Sequence, residues 1–562
     1  MTGDGIEKPW LKSYPARVPH EIDPAIYPSL KALIEESLTR FAERTAYVQM
    51  GRDLSFAELD EASAAIGAWL LTRGGMQAGD RIAIMLPNIL QYPIVMMGAL
   101  RAGLTVVNTN PLYTTRELQH QLHDAGVKTI VVLENFAHVL AEVIDATEVR
   151  NVIVTGVGDM LGGLKGWLVN FIVRRVRKQV PPWQITGARH FGDVLSQGRA
   201  LQLPAVSVGH DDLAFLQYTG GTTGVSKGAM LTHRNMVANV LQANAWIDDA
   251  LRASEREITL VTAIPLYHIF ALTANCLLFT RLGARNLLIA NPRDFAGFVT
   301  ELRKYQLTFV SGVNTLFNAL LNTPNFDKVD FSQLTVTLGG GMAVQEAVAA
   351  RWKAVTGNVL TQAWGLTETS PAACINPVGE DYNGSIGLPI PSTEVSIRDD
   401  AGNALGIGEV GEICVRGPQV MRGYWQRPDE TEKVMIPGGW FRTGDIGRMD
   451  ERGYVYIQDR KKDMILVSGF NVYPNEIEDV IAKHSGVLEV AAVAQPDERS
   501  GEVVAVFVVR KDPALTAADI IKHCRDELTG YKVPRHVYFR DELPKTNVGK
   551  ILRRTLRDEL RK

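Results

Sequence analysis

The stretch YTGGTTGVSKG, residues 218–228, decides how this sequence is interpreted. It follows the apolar run LAFLQ (213–217) and combines four glycines and three threonines with one lysine, Lys227. Glycines let backbone N–H groups turn towards a polyphosphate, threonine hydroxyls add hydrogen-bond donors, and a lysine supplies positive charge. The stretch therefore predicts a loop that binds phosphate groups.

The same loop is not a Walker A motif. That motif reads GxxxxGK[ST], whereas here Ser226 precedes Lys227 and Gly228 follows it. The order of residues therefore argues against a P-loop NTPase fold while keeping the phosphate-binding role. The candidate phosphate contacts are Thr219, Gly220, Gly221, Thr222, Thr223, Gly224 and Lys227.

Short apolar runs alternate with helical patterns before this loop. RIAIMLP (81–87), TVVNTNP (105–111) and KTIVVLE (128–134) predict buried strands. YPIVMMGALRAG (92–103) and TTRELQHQLHDAG (114–126) predict helices between and after them. This alternation is typical of an α/β fold with a mostly parallel sheet.

The chain is predicted to divide into a large and a small domain. Its 562 residues exceed the roughly 250–300 that a single hydrophobic core supports. Residues 1–461 should form a large N-terminal domain of α/β subdomains, closed by a β-rich subdomain at about 385–459, where glycine turns separate short strands. The charged run DRKKD (459–463) marks the boundary, and residues 462–562 should form a small α+β domain.

Composition narrows the class of protein. Hydrophobic residues make up 46% and charged residues 22%, with a net charge of −3, so the overall balance does not favour nucleic acid as a partner. Four widely spaced cysteines predict free thiols in a reducing cytoplasm. The N-terminus lacks a signal-peptide layout, and no run reaches the roughly 18 apolar residues of a membrane span. We expect a cytoplasmic protein, soluble or peripheral on the inner face of the membrane; a homodimer stays open.

One segment, GWLVNFIVRRVRKQVPPW (166–183), combines an apolar sector with basic residues. On a helical wheel, Leu168, Phe171 and Val176 share the apolar side, and Arg174 lies on the other side. Two interpretations stay open. The segment is either an amphipathic helix packed on the core or, at residues 166–180, an interfacial helix that contacts anionic lipid.

Six further motifs follow the phosphate loop. They are PLYHIF (265–270), LGGGM (338–342), AWGLTE (363–368), FRTGD (441–445), DRKKDMILVSGFNVYP (459–474) and PKTNVGKILRR (544–554). With this ordered set the sequence resembles the adenylate-forming superfamily of acyl-CoA synthetases, luciferases and peptide-synthetase adenylation domains. Within it, residues 438–465 resemble the fatty-acyl-CoA synthetase signature, and nearly the whole chain resembles the bacterial long-chain fatty-acid–CoA ligases.

The resemblance implies an activity and its partners. A fatty acid, ATP and coenzyme A would become acyl-CoA, AMP and pyrophosphate through an acyl-adenylate, with Mg²⁺ as cofactor. Three alternatives stay open: a medium-chain or aryl-CoA ligase, an adenylating enzyme that loads a carrier protein, and a lipid-binding protein that has lost catalysis.

The resemblance also implies a nucleotide site. Trp364 would stack on adenine, and Asp445 and Arg460 would bind the ribose hydroxyls. Glu368 would hold Mg²⁺, a hard cation that prefers oxygen ligands. The remaining implied contacts to the nucleotide are Gly339, Gly340, Gly341, Gly365, Thr367 and Thr219, the last also as a second Mg²⁺ ligand.

Catalysis is implied to depend on Lys550, whose ammonium would stabilise charge on the transferring phosphoryl group. Lys545 is the nearby competitor for this role. His268 is implied to lie near the carboxylate and the α-phosphate. The acyl tunnel is expected to involve residues after His268 and the stretch GVNTLFNALL (312–321), although a structural helix explains the latter equally well.

The resemblance finally implies that the small domain rotates between two half-reactions. Lys462, two residues after the ribose arginine, is the implied hinge. After rotation, Ser468, Gly469 and Phe470 would line the tunnel for coenzyme A.

Overall fold

The computed structural model describes residues 7–219, 226–252, 257–497 and 499–560. Within these ranges the chain builds two large sheets, a smaller β-rich sheet and a separate C-terminal sheet. The predicted α/β and α+β architecture is confirmed.

One large sheet contains the strand that leads into the phosphate loop. Its strands, in spatial order, are Arg189–His190, Asn151–Thr155, Val127–Leu133, Arg81–Met85, Thr105–Asn108, Leu213–Thr219 and Lys227–Thr232. All neighbours are parallel except the last pair, in which Thr219 faces Lys227 across an antiparallel register. The runs at 81–87, 105–111 and 128–134 form strands as predicted.

The second large sheet carries the glycine run and the AWG motif. In spatial order its strands are Leu388–Pro389, Ala372–Ile375, Leu360–Gly365, Val336–Gly340, Phe309–Gly312, Thr259–Thr262, Arg285–Leu288, Thr45–Gln49 and Arg52–Ser55. Its six central strands are parallel, so Gly312, Gly340 and Gly365 end at the same edge. Ligands of such sheets bind outside the carboxyl ends of the strands.

Two smaller sheets complete the described chain. The β-rich sheet holds Glu394–Arg398, Gly411–Arg416, Trp440–Met449, Met435–Ile436 and Val455–Arg460. The C-terminal sheet holds Phe470–Val472, Ile465–Val467, Gly501–Arg510, Val487–Asp497 and His536–Arg540. The C-terminal sheet packs its two faces into apolar clusters of their own, one around Ile465 and one around Phe507.

Helices cover the sheets, and several begin at side-chain caps. Ser55 with Glu58, and Thr114 with Glu117, form capping boxes that satisfy the first N–H groups of their helices. The α-helices are Leu30–Arg40, Phe56–Thr72, Gln91–Arg101, Thr115–Asp124, Ala137–Ala141, Gly163–Phe171, Phe191–Arg199, His233–Arg252, Ile269–Ala271, Leu278–Arg281, Phe295–Leu302, Asn314–Leu321, Glu346–Thr356, Pro428–Val434, Pro474–Ala482, Ala517–Glu527 and Arg553–Glu559. Two π-helical segments are Ile172–Val176 and Leu272–Leu277.

Short 3₁₀ turns connect many of these elements. They are Pro9–Ser13, Pro24–Ile26, Glu134–Phe136, Ile144–Ala146, Phe326–Lys328, Thr367–Thr369 and Gly530–Lys532. Among the residues described, every helix is too short or too polar to traverse a lipid bilayer. The four cysteines are buried free thiols, as predicted.

The basic, apolar segment forms the helix Gly163–Phe171 and then the π-helical turn Ile172–Val176. The interpretation as an amphipathic helix packed on the core is wrong, because Trp167 is 62% and Val176 65% exposed. Arg174 does not belong to a free basic face either. Its Nε lies 2.9 and 2.8 Å from the two carboxylate oxygens of the buried Glu134.

Candidate active site

A cavity of about 1090 Å³ opens where the carboxyl ends of the two large sheets face the C-terminal part of the chain. The predicted site residues that line it are Thr219, Lys227, His268, Gly340, Gly341, Trp364, Gly365, Thr367, Glu368, Arg460, Lys462 and Lys550. Gly339 and Asp445 are buried next to lining residues. Gly220, Gly221, Thr222, Thr223 and Gly224 lie outside the described residues.

Lys550 reaches the cavity from the C-terminal segment and lies against Gly341. Gly341 has a φ of +80°, and a Cβ atom there would stand 3.4 Å from Lys550 Cε and 3.9 Å from its Nζ. Glycine at this position therefore accommodates both the backbone turn and the lysine side chain. Lys545, by contrast, is held by both carboxylate oxygens of Glu489, at 2.7 and 2.8 Å.

The environment of the cavity lowers the pKa values of both Lys550 and His268. Burial, with the nearby positive charge of Arg460, lowers the pKa of Lys550 to about 8. Burial and the charge of Lys550 lower the pKa of His268 to about 3. Nδ1 of His268 accepts a hydrogen bond from the backbone N–H of Phe270 at 3.3 Å, so the proton of the neutral ring lies on Nε2.

A carboxylate behind the cavity joins two predicted nucleotide contacts. The indole N–H of Trp364 donates to Oδ2 of Asp445 at 2.9 Å, and Nε of Arg460 lies 3.0 Å from Oδ1. Asp445 is only 1% exposed, and within the described chain Oδ1 is ion-paired with Arg460 but accepts no hydrogen bond of good geometry. Buried carboxylate oxygens normally accept hydrogen bonds, so Oδ1 can still accept one from a ligand hydroxyl beside the Arg460 guanidinium.

Glu368 is 8% exposed and is oriented by a residue that sequence reasoning missed. The hydroxyl of Tyr424 donates to Oε1 of Glu368 at 2.7 Å. Burial and the charge of Glu368 raise the pKa of Tyr424, which keeps the phenol protonated as a donor. Tyr424 lies outside the recognised motifs, and its sequence neighbours carry no signal that would have identified it.

Lys227 also has an unforeseen partner. Its Nζ forms an ion pair with Glu430 and lies 5.1 Å from the ring centroid of Tyr424. The loop lysine is therefore held at the cavity wall by a carboxylate 203 positions away in sequence.

The cavity offers few side-chain ligands for a divalent cation. Within the described ranges, no group of three or more His, Cys, Asp or Glu side chains could hold a metal by itself. Glu368 and Thr219 both line the cavity. One carboxylate and one hydroxyl fit Mg²⁺, which usually binds through few protein oxygens together with water and substrate phosphates.

Part of the cavity wall is apolar, and we call this part the apolar branch. It is lined by Ala243, Ile247, Phe270, Ala274, Leu278, Phe309, Leu338 and Ile375. The expectation that the tunnel begins after His268 is consistent with this branch, but residues 312–321 do not line the cavity. Their helix, Asn314–Leu321, instead contacts the C-terminal part, where Thr315 donates to the backbone oxygen of Gly549 at 2.9 Å.

The stretch predicted for coenzyme A lies outside the cavity. Ser468 and Gly469 have φ angles of 50° and 85° and form the turn between two short strands. Phe470 is 57% exposed and stacks on Tyr531, with 4.9 Å between ring centroids. Lys462, the predicted hinge, does line the cavity.

Comparison with known proteins gives matches along almost the whole chain. Residues 34–425 match the family model of the AMP-binding enzymes, and residues 476–550 match the AMP-binding enzyme C-terminal domain. A long-chain-fatty-acid–CoA ligase of Escherichia coli O157:H7 is 56% identical over 557 residues, 99% of each chain. The 4-coumarate-CoA ligase 1 of Narcissus pseudonarcissus is 30% identical over 535 residues, 93% of this chain and 92% of that protein.

Among solved structures, the chain is similar to the anthranilate CoA ligase AuaEII in complex with anthranoyl-AMP. The TM-score is 0.85 at 23% identity, covering 96% of this chain and 99% of that one. At this identity the likeness concerns the fold.

Proposed function

The chain belongs to the family of AMP-binding enzymes, and from this premise we propose that it is a long-chain fatty acid–CoA ligase. It joins a fatty acid to coenzyme A, converts ATP to AMP and pyrophosphate, and forms an acyl-adenylate on the way. The observation that carries the proposal is one cavity in which Lys550 lies against Gly341, near His268 and Glu368, and whose wall includes the apolar branch.

In the first half-reaction, a carboxylate oxygen of the fatty acid attacks the α-phosphorus of ATP. The new P–O bond forms, the bond from the α-phosphorus to the bridging oxygen breaks, and pyrophosphate leaves. The fatty acid is ionised at neutral pH, so no general base is needed. The ammonium of Lys550 stabilises charge on the α-phosphate and the leaving group. Neutral His268 donates from Nε2 to an acceptor oxygen of the reactants.

ATP is bound along the edge where the strands end. Adenine stacks on Trp364, and Oδ1 of Asp445 accepts a hydrogen bond from a ribose hydroxyl, beside its ion-pair partner Arg460. Thr367, Lys227 and the loop that begins at Thr219 bind the phosphates, and Gly340, Gly341 and Gly365 let the backbone approach the nucleotide.

Glu368 and Thr219 are the residues that would hold Mg²⁺. When bound, the ion would neutralise part of the triphosphate charge. Tyr424 contributes by holding the Glu368 carboxylate in a fixed orientation.

In the second half-reaction, the thiolate of coenzyme A attacks the acyl carbonyl carbon. A C–S bond forms, the C–O bond to AMP breaks, and AMP leaves. Because Lys550 occupies the cavity in this arrangement, the small C-terminal domain, 462–562, rotates away about Lys462. The rotation brings Ser468, Gly469 and Phe470, which now lie outside, to the opening for the pantetheine arm.

A long-chain acid is favoured over the alternatives. The apolar branch offers room for an acyl chain, and the relative that acts on long-chain fatty acids is 56% identical against 30% for the coumarate ligase. No comparable observation supports the loading of a carrier protein. The position of Lys550 in the cavity argues against a lipid-binding protein that has lost catalysis.

We also propose that the enzyme works in the cytoplasm at a lipid surface. Buried free thiols suit a reducing compartment. The helix Gly163–Phe171 and the turn Ile172–Val176 present Trp167, Phe171 and Val176 to the outside, next to Arg177 and Lys178. We assign to this segment the contact with anionic lipid from which the fatty acid is collected.

Pyrophosphate release with a panel of acids tests the function. Purified enzyme should release pyrophosphate with palmitate, ATP, Mg²⁺ and coenzyme A faster than with octanoate, and least with 4-coumarate. Lys550→Ala should lower release with every acid by about 10²–10³-fold, which controls for contaminating ligases. Preference for 4-coumarate would overturn the long-chain assignment, and acyl transfer to a holo-carrier protein but not to coenzyme A would overturn the thioester step.

A further inference from the structure

We propose that Thr315 is a positioning residue for the first half-reaction: it holds the turn that carries Lys550. Thr315 lies near the start of the helix Asn314–Leu321, directly after the strand Phe309–Gly312. Its hydroxyl donates to the backbone oxygen of Gly549 at 2.9 Å, across 234 positions of sequence. Gly549 immediately precedes Lys550, so the contact anchors the peptide from which the catalytic side chain extends.

The turn that carries Lys550 is closed by its own hydrogen bonds. The N–H of Gly549 donates to the Thr546 oxygen at 3.0 Å, and the N–H of Thr546 donates to the Lys550 oxygen at 2.7 Å. The Thr546 hydroxyl accepts from the N–H of Lys550 at 3.1 Å. A turn with fixed internal geometry moves as one piece. One anchor on its outer side therefore decides where the ammonium points.

The turn and the helix are in close contact at this point. Gly549 has a φ of +84°, and a Cβ atom there would stand 2.8 Å from Oγ1 of Thr315 and 3.2 Å from Cγ2 of Val313. The backbone thus lies directly on the start of the helix. On the far side of the turn, Lys550 lies against Gly341.

The helix is itself fixed in the N-terminal part of the chain. Asn314 and Gln345 exchange two hydrogen bonds, at 3.1 and 3.0 Å. Asn318, three residues after Thr315, donates to the backbone oxygen of Leu488 in the C-terminal sheet at 2.9 Å. Helix positions three apart share a face, so Thr315 and Asn318 form one docking edge.

This inference rests on the proposed function, in which Lys550 serves adenylation and then leaves. The Thr315–Gly549 contact then exists only while Lys550 is in place. Loss of one hydrogen bond corresponds to about a 2- to 12-fold change in the population of the anchored arrangement. Displacement of a catalytic group by about 1 Å lowers rates further, so we expect a loss of roughly tenfold or more in adenylation.

The test compares the two half-reactions in three variants. Thr315→Val removes the hydroxyl and keeps the branched shape, Thr315→Ser keeps the hydroxyl, and Thr323→Val is the matched control. Thr323 lies just beyond the same helix, and its hydroxyl donates within it, to the Ala319 oxygen at 2.8 Å. One assay follows pyrophosphate release from ATP and palmitate without coenzyme A in a single turnover. The other follows thioester formation from synthetic palmitoyl-adenylate and coenzyme A.

We expect Thr315→Val to lower only the first rate at saturating ATP, Thr315→Ser to restore it, and Thr323→Val to leave both rates unchanged. Equal losses in both half-reactions, or no loss, would overturn the proposal. If Thr315→Val fails to fold, Asn318→Ala replaces it. We then expect Asn318→Ala to lower only the first rate, and equal losses in both half-reactions, or no loss, would again overturn the proposal. Failure of the proposed function would appear separately, as a wild-type enzyme that releases no pyrophosphate with any fatty acid.

Discussion

Two lysines of the PKTNVGK motif lie five residues apart and differ in their surroundings. Both lysines line the cavity, but Lys545 is ion-paired with Glu489, whereas Lys550 extends to Gly341. Sequence reasoning could name both lysines but could not separate them by chemistry, because their partners are brought together only by folding.

Lys550→Ala should lower the rate of acyl-adenylate formation by about 10²–10³-fold, since a preorganised charge at the reacting phosphate is lost. The binding of ATP should change little, because the nucleotide contacts remain. Pyrophosphate release and equilibrium ATP binding measure the two effects. Lys545→Ala is the comparison and should cost less than about tenfold; a larger loss in Lys545→Ala than in Lys550→Ala would reverse the assignment.

The pH dependence of adenylation should report the lowered pKa of Lys550. Its ammonium loses a proton near pH 8 in the free enzyme, whereas an ordinary lysine does so near 10.4. The deprotonated amine no longer stabilises phosphate charge, so kcat/KM for ATP should fall as the pH rises above about 8. A profile of pyrophosphate release between pH 6.5 and about 10 checks this. A plateau up to pH 10 would contradict it.

Trp364→Phe should separate two roles of one side chain. The phenyl ring keeps a face for adenine, but the hydrogen bond to Asp445 is lost and a buried carboxylate oxygen is left unsatisfied. We expect KM for ATP to rise roughly fivefold while KM for palmitate stays unchanged. Steady-state kinetics decide; if KM for ATP stays at the wild-type value, the indole N–H does not matter for the nucleotide site.

At the scale of elements, the helix Asn314–Leu321 shows what sequence patterns leave undetermined. Its apolar side packs Phe317 on Trp352, with 4.7 Å between ring centroids. Its polar side contacts the C-terminal sheet. An apolar run with small residues indicates burial but not the surface against which it is buried, and the acyl chain and a core tryptophan leave the same signature. The expectation for the tunnel after His268 therefore stays a prediction, whereas residues 312–321 do not line the cavity.

The exposed helix Gly163–Phe171 is the element to which we assign the contact with lipid. Trp167→Ser with Phe171→Ser should weaken binding to vesicles with anionic phospholipid, because apolar area that enters the interface is removed. Sedimentation with liposomes, with and without anionic lipid, measures the loss. Ile407→Ser with Val410→Ser, at exposed apolar positions of the β-rich part, is the matched control and should bind normally.

Arg177→Glu with Lys178→Glu should weaken binding only to the anionic vesicles. Arg174 is left out because it pairs with Glu134. Unchanged sedimentation of both double variants would remove this segment from the proposal.

At the scale of the whole molecule, one carboxylate couples the contact between the two parts to pH. Asp479, on the helix Pro474–Ala482, has its pKa raised to about 7 by burial and by the charges of Glu478 and Glu346. Lys483 and Arg553 oppose the shift. A carboxyl group whose pKa is raised on folding stabilises the folded arrangement at low pH, and this contribution is lost as the pH rises through 7.

Asp479→Asn should therefore raise the melting temperature at pH 8 by roughly 1–3 °C, with a smaller gain at pH 5.5. Thermal unfolding at both pH values provides the measurement. Asp541→Asn, at an exposed position, should change neither value. A lower melting temperature of Asp479→Asn at pH 8 would contradict the sign of the effect.

The ordered motifs predicted the fold and most of the cavity wall. They could not predict Tyr424 on Glu368, Glu430 on Lys227 or Thr315 on Gly549, which join positions far apart in sequence. Sequence motifs contain the residues expected to contact substrates. The residues that orient them come from distant parts of the chain and are brought into contact only by folding.

The four cysteines bear on the selectivity of the whole reaction. An acyl-adenylate is a mixed anhydride that acylates any accessible thiolate, including those of its own enzyme. Here every cysteine is buried, and burial raises the pKa of Cys276 to about 12. The thiols of the protein itself are therefore kept away from the acyl-adenylate. Self-acylation is suppressed, and coenzyme A is left as the thiol that competes for the acyl group.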